Sequence, residues 1–243
     1  MQRVLIVGGS GAIGRAVARL VVAAGGRVFL AARDPVRLAD AAAESAAPHA
    51  VVDAADPDAV DACADVAAAT LGGLDGIVNT AGSLLLKPAH LTTTAEWQAT
   101  LAANLTTAFG CVRAAGRLLR ADGGAVVLVS SAAARVGIAN HEAIAAAKAG
   151  VIGLVLSAAA TYARQNIRVN AVAPGLVRTP LTAGLIASGP AEKASIALHP
   201  LGRLGEPDDV ARAIVFLLDP AQGWITGQVL GVDGGLADLK ARS

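Results

Sequence analysis

The chain has 243 residues, which is the length of one large α/β domain or of two small ones. Hydrophobic residues make up 54% of it and aromatics only 2%, and 58 residues are alanine, so we expect a core of Ala, Val, Leu and Ile. A net charge of +1 without basic runs argues against a nucleic-acid partner, and no apolar stretch reaches the roughly 18 to 20 residues of a membrane span. Because the first residues do not resemble a signal peptide and Cys63 and Cys111 lack metal-binding spacing, we expect a cytoplasmic protein with reduced thiols and no metal or membrane partner.

Short apolar runs alternate with longer amphipathic segments along the whole chain. Strands are predicted at 4–7, 28–31, 50–52, 76–78, 125–129, 168–172 and 228–232. Asp34 and Asp56 each precede a proline, Thr93 and Glu96 have capping-box spacing, and Glu206 opens a further helix. Apolar strands separated by helices predict a parallel sheet covered on both faces, within one domain spanning 1–243.

The stretch at about 181–199 departs from this alternation. It is rich in small residues, with Gly184, Gly189 and Pro190, and it lies between a strand end and the next helix. A segment of this kind can close over a ligand. We therefore predict a small substrate lid there.

The first predicted strand leads into a glycine-rich turn, Gly8-Gly9-Ser10-Gly11-Ala12-Ile13-Gly14, and an amphipathic helix follows. Residues 9 to 14 match GxGxxG, whose glycines permit a tight turn and let the backbone approach a pyrophosphate. The amides of the following helix then hold phosphates. A purely structural glycine turn is the alternative, but the position after the first strand of an α/β chain favours dinucleotide binding.

The second predicted strand ends in Ala31-Ala32-Arg33-Asp34. In dinucleotide-binding folds an acid near this point bonds the ribose 2′-hydroxyl of NAD, whereas an arginine accommodates the 2′-phosphate of NADP. Ala32 supplies no acid, Arg33 supplies a cation, and Asp34 is better explained as a helix cap. The sequence therefore favours NADP(H) over NAD(H).

Further motifs follow in order, and with the glycine turn they resemble the short-chain dehydrogenase/reductase family over nearly the whole chain. They are Asn79-Thr80-Ala81-Gly82, Ser130-Ser131, Asn170-Ala171-Val172-Ala173-Pro174-Gly175, Pro200-Leu201-Gly202-Arg203 and Val232-Asp233-Gly234-Gly235. The resemblance implies a Rossmann-type, doubly wound, mostly parallel sheet of seven strands with helices on both faces. It also implies a homotetramer or homodimer that acts on a small molecule.

The resemblance assigns roles to individual residues. Asn104, Ser131 and Lys148 match three members of the family's Asn-Ser-Tyr-Lys tetrad, in which the serine holds the substrate oxygen and the lysine binds the nicotinamide ribose. The residues implied to bind the cofactor are Gly8, Ser10, Gly11, Ile13, Gly14, Arg33, Asp53, Asn79, Ala81, Gly82, Lys148, Pro174, Gly175, Val177 and Thr179.

The tetrad's tyrosine has no counterpart in this sequence. The family places it thirteen residues after the serine and four before the lysine, and both counts lead to Ile144. Isoleucine donates no proton, so ordinary carbonyl reduction should be impaired. His141 is the candidate replacement donor because it precedes Ile144 by three residues, on the same face if the helix begins early enough. An ordinary polar residue at a loop–helix junction is the alternative for His141.

These residues predict an NADP(H)-dependent oxidoreductase with a non-standard proton donor, acting on a carbonyl, C=C or C=N group of a small apolar or mixed substrate. Two alternatives stay open, because one fold hosts many chemistries. One is a non-redox enzyme, such as a cyclase, dehydratase or isomerase, that keeps the nucleotide as a scaffold. The other is an inactive nucleotide-binding partner subunit.

Overall fold

The computed structural model describes residues 2–240, in which seven parallel strands form one sheet of order β3-β2-β1-β4-β5-β6-β7. The strands are β1 (Arg3–Val7), β2 (Arg27–Ala32), β3 (His49–Val51), β4 (Gly76–Asn79), β5 (Gly124–Val129), β6 (Ile167–Pro174) and β7 (Val229–Val232). All of them lie where the sequence predicts strands. β6 extends two residues further than predicted because Pro174 still pairs with Val232 of β7. Residues 1 and 241–243 of the predicted domain lie outside the described residues.

The helices begin where the sequence supplies caps. Asp34 accepts two backbone N–H groups at 3.0 Å each and Asp56 accepts one at 2.9 Å, while Thr93 and Glu96 form the predicted capping box. The α-helices within residues 2–240 are α1 (Ala12–Ala23), α2 (Pro35–Ser45), α3 (Pro57–Leu71), α4 (Thr94–Leu101), α5 (Thr107–Leu118), α6 (Glu142–Tyr162), α7 (Gly189–Ala197) and α8 (Pro207–Leu218).

The sheet carries an apolar layer on each face, because alternate residues of a strand point in opposite directions. Leu5, Ile77 and Leu128 pack with α3, α5 and α6 on one face. Val4 and Val78 pack with α1, α2 and α8 on the other. The doubly wound α/β architecture implied by the family resemblance is therefore confirmed.

Cys63 and Cys111 are buried in the first of these layers as free thiols. Burial raises the pKa of Cys63 to about 11 and raises that of Cys111 as well. Both thiols are therefore protonated and unreactive at neutral pH.

The segment 142–165, which comprises α6 and the turn after it, is by length and composition apolar enough to cross a membrane. In the fold, Val151 and Val155 are fully buried in the core and the helix contacts β6 and α5. The apolar composition of α6 therefore matches its place as a core helix.

The strand order reverses between β1 and β4. From β1 the chain winds outward to β2 and β3, and from β4 it winds the other way to β7. A reversal of this kind opens a crevice at the carboxyl ends of the strands, which is where ligands bind in open α/β sheets. The glycine turn after β1 and the turn after β4 meet at that crevice.

Candidate active site

A cleft of about 370 Å³ opens at this reversal. The glycine turn, the end of β2 and the turn after β4 form its walls. The predicted cofactor residues that line it are Gly8, Ser10, Gly11, Ile13, Gly14, Arg33, Asp53, Ala81, Gly82 and Thr179. Residues from distant parts of the sequence thus share one cleft, as the resemblance implies.

Gly8 and Gly14 allow the turn after β1 to pack closely on itself and on the turn after β4. Gly8 has a φ of +84°, and a Cβ there would overlap the backbone nitrogen of Ala81. A Cβ at Gly14 would lie 2.5 Å from the carbonyl oxygen of Gly8. The cap of α1 is Gly11, which offers no side chain to the first amides of the helix. Those amides are free for an anion, so the cleft fits a dinucleotide phosphate.

Two arginines line the end of the cleft beside β2. Arg33 and Arg37 both line it, and Asp34 is occupied because it caps α2. Arg15 connects the two walls: its Nε donates to the carbonyl oxygen of Ser10 at 3.2 Å and its Nη2 donates to that of Arg37 at 2.8 Å. Two guanidinium groups therefore lie at the end of the cleft beside β2, next to the carboxylates of Asp34 and Asp53.

Asp53 and Asn79 differ in their positions. Asp53 lines the cleft, and its Oδ1 accepts the N–H of Ala55 at 3.1 Å. Asn79 is only 2% exposed; its Oδ1 accepts the N–H of Ala81 at 3.0 Å and its Nδ2 donates to Thr107 at 3.1 Å. The Asn79 side chain therefore supports the turn after β4 from behind and does not line the cleft surface.

A second cavity of about 290 Å³ adjoins the first, and Ala81, Gly82 and Thr179 line both. Its predicted residues are Asn104, Ser131, His141, Lys148, Pro174, Gly175 and Val177, together with Ile144. Much of the remaining wall is aliphatic, from Leu84, Ile138, Leu176, Leu181, Leu198 and Leu236. The three matched tetrad residues and Ile144 therefore meet in one apolar cavity beside the cleft.

Asn104 lies in a π-helical turn, Ala102–Thr106, between α4 and α5. Its Nδ2 donates to the carbonyl oxygen of Thr100 at 2.9 Å and to Ser83 Oγ at 3.1 Å. A Cβ at Gly82 would lie 2.9 Å from Asn104 Oδ1. Asn104 thus fixes the Gly82–Ser83 wall of the cavity, and π-turns of this kind often occur at functional sites.

Lys148 and Ser131 present complementary groups to the cavity. The Lys148 side chain is largely buried, its Nζ donates to the carbonyl oxygen of Val129 at 2.8 Å, and burial lowers its pKa to about 8. Ser131 Oγ accepts the N–H of Ala133 at 3.1 Å, which leaves the hydroxyl hydrogen free to donate. The site can therefore offer a cation and a neutral donor within one cavity.

Ile144 is 4% exposed and precedes Lys148 by one turn of α6. The chain has one tyrosine, Tyr162, at the opposite end of the same helix. A Cβ at Gly116 of α5 would lie 2.6 Å from the Tyr162 hydroxyl oxygen, so the phenol packs against α5. Tyr162 does not line the cavity.

His141 lies at the N-cap of α6 and not inside the helix, because α6 begins at Glu142. The condition that the helix begin early enough is therefore not met, yet the cap position still places His141 on the cavity wall. His141 Nδ1 is 2.8 Å from the carbonyl oxygen of Ala139, which can only accept, so Nδ1 carries a hydrogen. Glu142 is exposed, and its Oε1 accepts the N–H of Ala89 at 3.4 Å.

The cavity also contains residues that sequence analysis missed. His199, the last residue of the predicted lid, and Leu236, far beyond it, line this cavity, and Arg37 lines the cleft from within α2. The proximity of Arg37 to Arg33 was a usable signal. His199 and Leu236 carried none, because their approach to the cavity depends on tertiary contacts.

Comparison with known proteins gives consistent results. A family model described as enoyl-(acyl carrier protein) reductase matches residues 8–237. The chain is 43% identical over 241 residues to a cis-4-hydroxycyclohexanecarboxylate dehydrogenase from Sinomonas cyclohexanicum, covering 96% of each. It is 38% identical over 230 residues to a Xanthobacter autotrophicus protein named inactive 2-(S)-hydroxypropyl-CoM dehydrogenase 2, covering 92% of this chain and 100% of the relative. A solved short-chain type dehydrogenase/reductase from Mycobacterium ulcerans has a TM-score of 0.94 at 32% identity, covering 99% of this chain and 91% of that one.

The chain therefore belongs to the short-chain dehydrogenase/reductase family. It is an oxidoreductase of that type, since its relatives are named dehydrogenases and reductases. Membership of the family implies a nicotinamide cofactor, and the glycine turn, with no room for side chains, fits one.

Proposed function

We propose that the protein is an NADP(H)-dependent oxidoreductase that acts on a carbonyl, C=C or C=N group of a small apolar or mixed substrate, with a proton donor other than tyrosine. One observation carries the proposal: Asn104, Ser131 and Lys148 share a cavity that adjoins the nucleotide cleft, with Ile144 where the family resemblance expects tyrosine.

The charge of the cleft supports NADP(H) over NAD(H). Arg33 and Arg37 face it, and a guanidinium pairs well with a phosphate dianion. Asp34 is held as the cap of α2, because its Oδ1 accepts two backbone hydrogen bonds. When bound, the nicotinamide supplies the hydride.

Ser131 would hold the substrate atom that gains negative charge, and Lys148 would bind the nicotinamide ribose and place a positive charge in the same cavity. The Ser131 hydroxyl has a free hydrogen for the oxygen or nitrogen of the substrate. Lys148 is mostly protonated at neutral pH, because its pKa is about 8. Fixed donors in an apolar cavity are more effective than the same groups in water.

His141 is the proposed proton donor. With its Nδ1 hydrogen engaged by Ala139, the protonated ring has Nε2–H left to give, and the half-buried position lets it recover a proton from solvent. A water held by Ser131, or the substrate itself, is the alternative donor.

The cavity walls support a small apolar or mixed substrate. The wall consists largely of leucine, isoleucine and small residues, and its ionisable side chains within residues 2–240 are His141, Lys148 and His199. The relative from Sinomonas cyclohexanicum is named for a cyclohexane compound, which favours cyclic aliphatic ketones. The description of the matching family model supports testing C=C bonds as well.

The test is NADPH and NADH oxidation over ketones, diketones, enones and imines, with wild type beside the variant Ile144→Tyr. We expect wild type to oxidise NADPH with at least one class, and more slowly with NADH. Activity in the tyrosine variant alone would show an intact site without a proton donor and would contradict the proposal.

An inactive nucleotide-binding subunit is the second candidate. The relative from Xanthobacter autotrophicus, 38% identical, is named an inactive dehydrogenase, and Ile144 lacks an ionisable group. Such a subunit would bind NADPH and copurify with another chain without turnover. A non-redox enzyme would instead convert substrate while NADPH stays unchanged.

We propose that the protein assembles as a homodimer or homotetramer in the cytoplasm. Three large apolar side chains are exposed on neighbouring helices: Trp97 on α4, Phe109 on α5 and Leu156 on α6. Burial of such side chains against a second copy would stabilise the assembly. Sedimentation velocity of wild type and Phe109→Asp tests this, with a shift to monomer expected for the variant.

A further inference from the structure

The predicted lid, 181–199, lies largely within an unburied segment, 178–198, that ends one residue before the buried His199; the name lid is used below for 178–198. None of its residues is buried, and α7 within it contributes none to the core. Between Val177 and Leu204, both buried, His199 is the one buried residue of this described stretch. His199 is therefore the first core anchor after the lid.

The imidazole of His199 bonds to two separate parts of the backbone. Its Nδ1 lies 2.8 Å from the carbonyl oxygen of Ser195 in α7, and its Nε2 lies 3.1 Å from the amide nitrogen of Leu176, after β6. A carbonyl only accepts and an amide N–H only donates, so the ring is neutral with its hydrogen on Nδ1. One side chain thus joins the lid helix to the end of β6.

The Leu176 contact is tightly packed. A Cβ at Gly175 would lie 2.7 Å from His199 Nε2, and one at Gly234 would lie 3.5 Å from His199 Cβ. On the lid side, Leu181, Thr182, Ser195 and Leu198 line the substrate cavity. Any movement of His199 away from Leu176 therefore also moves the lid residues that form part of the cavity wall.

We propose that His199 is a positioning residue that holds the lid over the substrate cavity by accepting the Leu176 N–H, and that it does so only in its neutral form. Protonation places a hydrogen on Nε2 opposite that N–H and breaks the bond. The consequence for substrate binding rests on the proposed function, whereas the link between lid and core does not.

The charged groups around His199 are otherwise engaged. In the lid, Arg178 pairs with Glu192 and also with Glu206 at 3.4 Å. In the C-terminal turn, the two carboxylate oxygens of Asp233 accept the N–H groups of Gly235 at 2.9 Å and Ala237 at 3.0 Å. Lys193 in α7 is exposed.

The opposite wall of the cavity holds two further ionisable groups. Lys148 donates to the carbonyl oxygen of Val129, and His141 is the second imidazole of the cavity. No carboxylate in residues 2–240 hydrogen-bonds to the His199 ring, so its cation gains no partner in exchange for Leu176.

Hydrogen exchange followed by mass spectrometry tests this on the full chain without any substrate. We compare peptides covering 178–198 at pH 5.5 and pH 8.0, after correction for intrinsic exchange, in wild type, His199→Leu and His199→Gln. The lower pH favours protonation of the ring, and loss of one such bond corresponds to about tenfold in exchange rate. In wild type we expect the lid peptides to exchange about tenfold faster at pH 5.5 than at pH 8.0. In His199→Leu they should exchange fast at both pH values. In His199→Gln, which keeps a hydrogen-bond acceptor, they should exchange slowly at both.

Two control variants test whether the pH response of the lid peptides comes from His199. His90→Gln replaces an exposed histidine outside the cavity, and His141→Gln replaces the other imidazole of the cavity wall; both should keep the wild-type response to pH. Peptides from β5 and α8 should exchange alike in all variants. A pH response that persists in His199→Gln, or that vanishes in His141→Gln, would overturn the proposal. Because no turnover is measured, failure here is distinct from failure of the proposed function.

Discussion

Ile144 and Lys148 lie one turn apart on α6, and both line the cavity beside the nucleotide cleft. The isoleucine side chain brings no ionisable group, and the Lys148 ammonium donates to the Val129 carbonyl. The cavity therefore keeps the lysine of the family's tetrad but has no phenol beside it to protonate a substrate. Variants at Ile144 and Lys148 test the two halves of this relationship.

Replacement of Ile144 by tyrosine should increase ketone reduction by NADPH. The new phenol would lie one turn from Lys148, whose charge favours the phenolate. General acid catalysis contributes about 10²- to 10⁴-fold in total, and because His141 already supplies a donor we expect a gain below that range. Steady-state kcat/KM measures the gain. Ile144→Phe is the matched control, with the same ring and no hydroxyl, and an equal gain in that variant would contradict the prediction.

Lys148 should make stability depend on pH. Burial lowers its pKa to about 8, so between pH 8 and about 10.4 the folded chain binds fewer protons than the unfolded chain. The free energy of unfolding of wild type should therefore rise with pH across this window relative to Lys148→Met, by up to about 3 kcal/mol. Urea unfolding of both proteins at pH 7 and pH 10.5 gives the difference, in which other titrating groups cancel. A difference that does not change with pH would show that Lys148 titrates normally.

Arg33 should carry the preference for NADP(H). Loss of a guanidinium that faces a phosphate removes a charge-assisted hydrogen bond, so Arg33→Ala should weaken NADPH binding roughly tenfold or more and leave NADH binding nearly unchanged. Fluorescence titration of both nucleotides measures this. Arg27→Ala, at the opposite end of the same strand, is the control and should alter neither affinity. Equal loss for both nucleotides in Arg33→Ala would contradict a role at the 2′-phosphate.

Gly8→Ala should abolish tight nucleotide binding. The new Cβ would overlap the backbone of Ala81, so the turn after β1 must move away from the turn after β4. Gly25 has a similar φ of +80° and nothing within 4 Å of an added Cβ, which makes Gly25→Ala a control for backbone strain alone. That control should lose about 1 kcal/mol of stability and keep its affinity for NADPH. Calorimetric titration distinguishes the two, and unchanged affinity in Gly8→Ala would contradict the assigned role.

The strands, caps and cofactor turn were predictable because their signals are local. Helix starts are predicted by capping residues next to them in sequence, as at Asp34, Asp56 and Thr93. The buried strands are predicted by their apolar runs. Ser131 and Lys148 were found through sequence spacing and a family resemblance. Such signals need no knowledge of distant contacts.

The remaining features depend on packing between distant segments. His199 approaches the cavity only because its ring meets Leu176, which precedes the lid in sequence. Asn79 matches a motif, yet its side chain faces Thr107 of α5 and not the cleft. His141 occupies the N-cap position of α6 without a side-chain capping bond, because the helix begins at Glu142, a boundary that no strong cap signal in the sequence marks.

Transfer of deuterium from NADPH labelled at C4 of the nicotinamide tests the central claim most directly. Wild type is incubated with the best substrate of the ketone, enone and imine panel, and the product is examined by mass spectrometry. The account predicts one deuterium per product molecule for the label on one face of the ring, and a slower rate in His141→Gln. Unlabelled product formed while NADPH persists, or no product from wild type across the panel, would contradict the account.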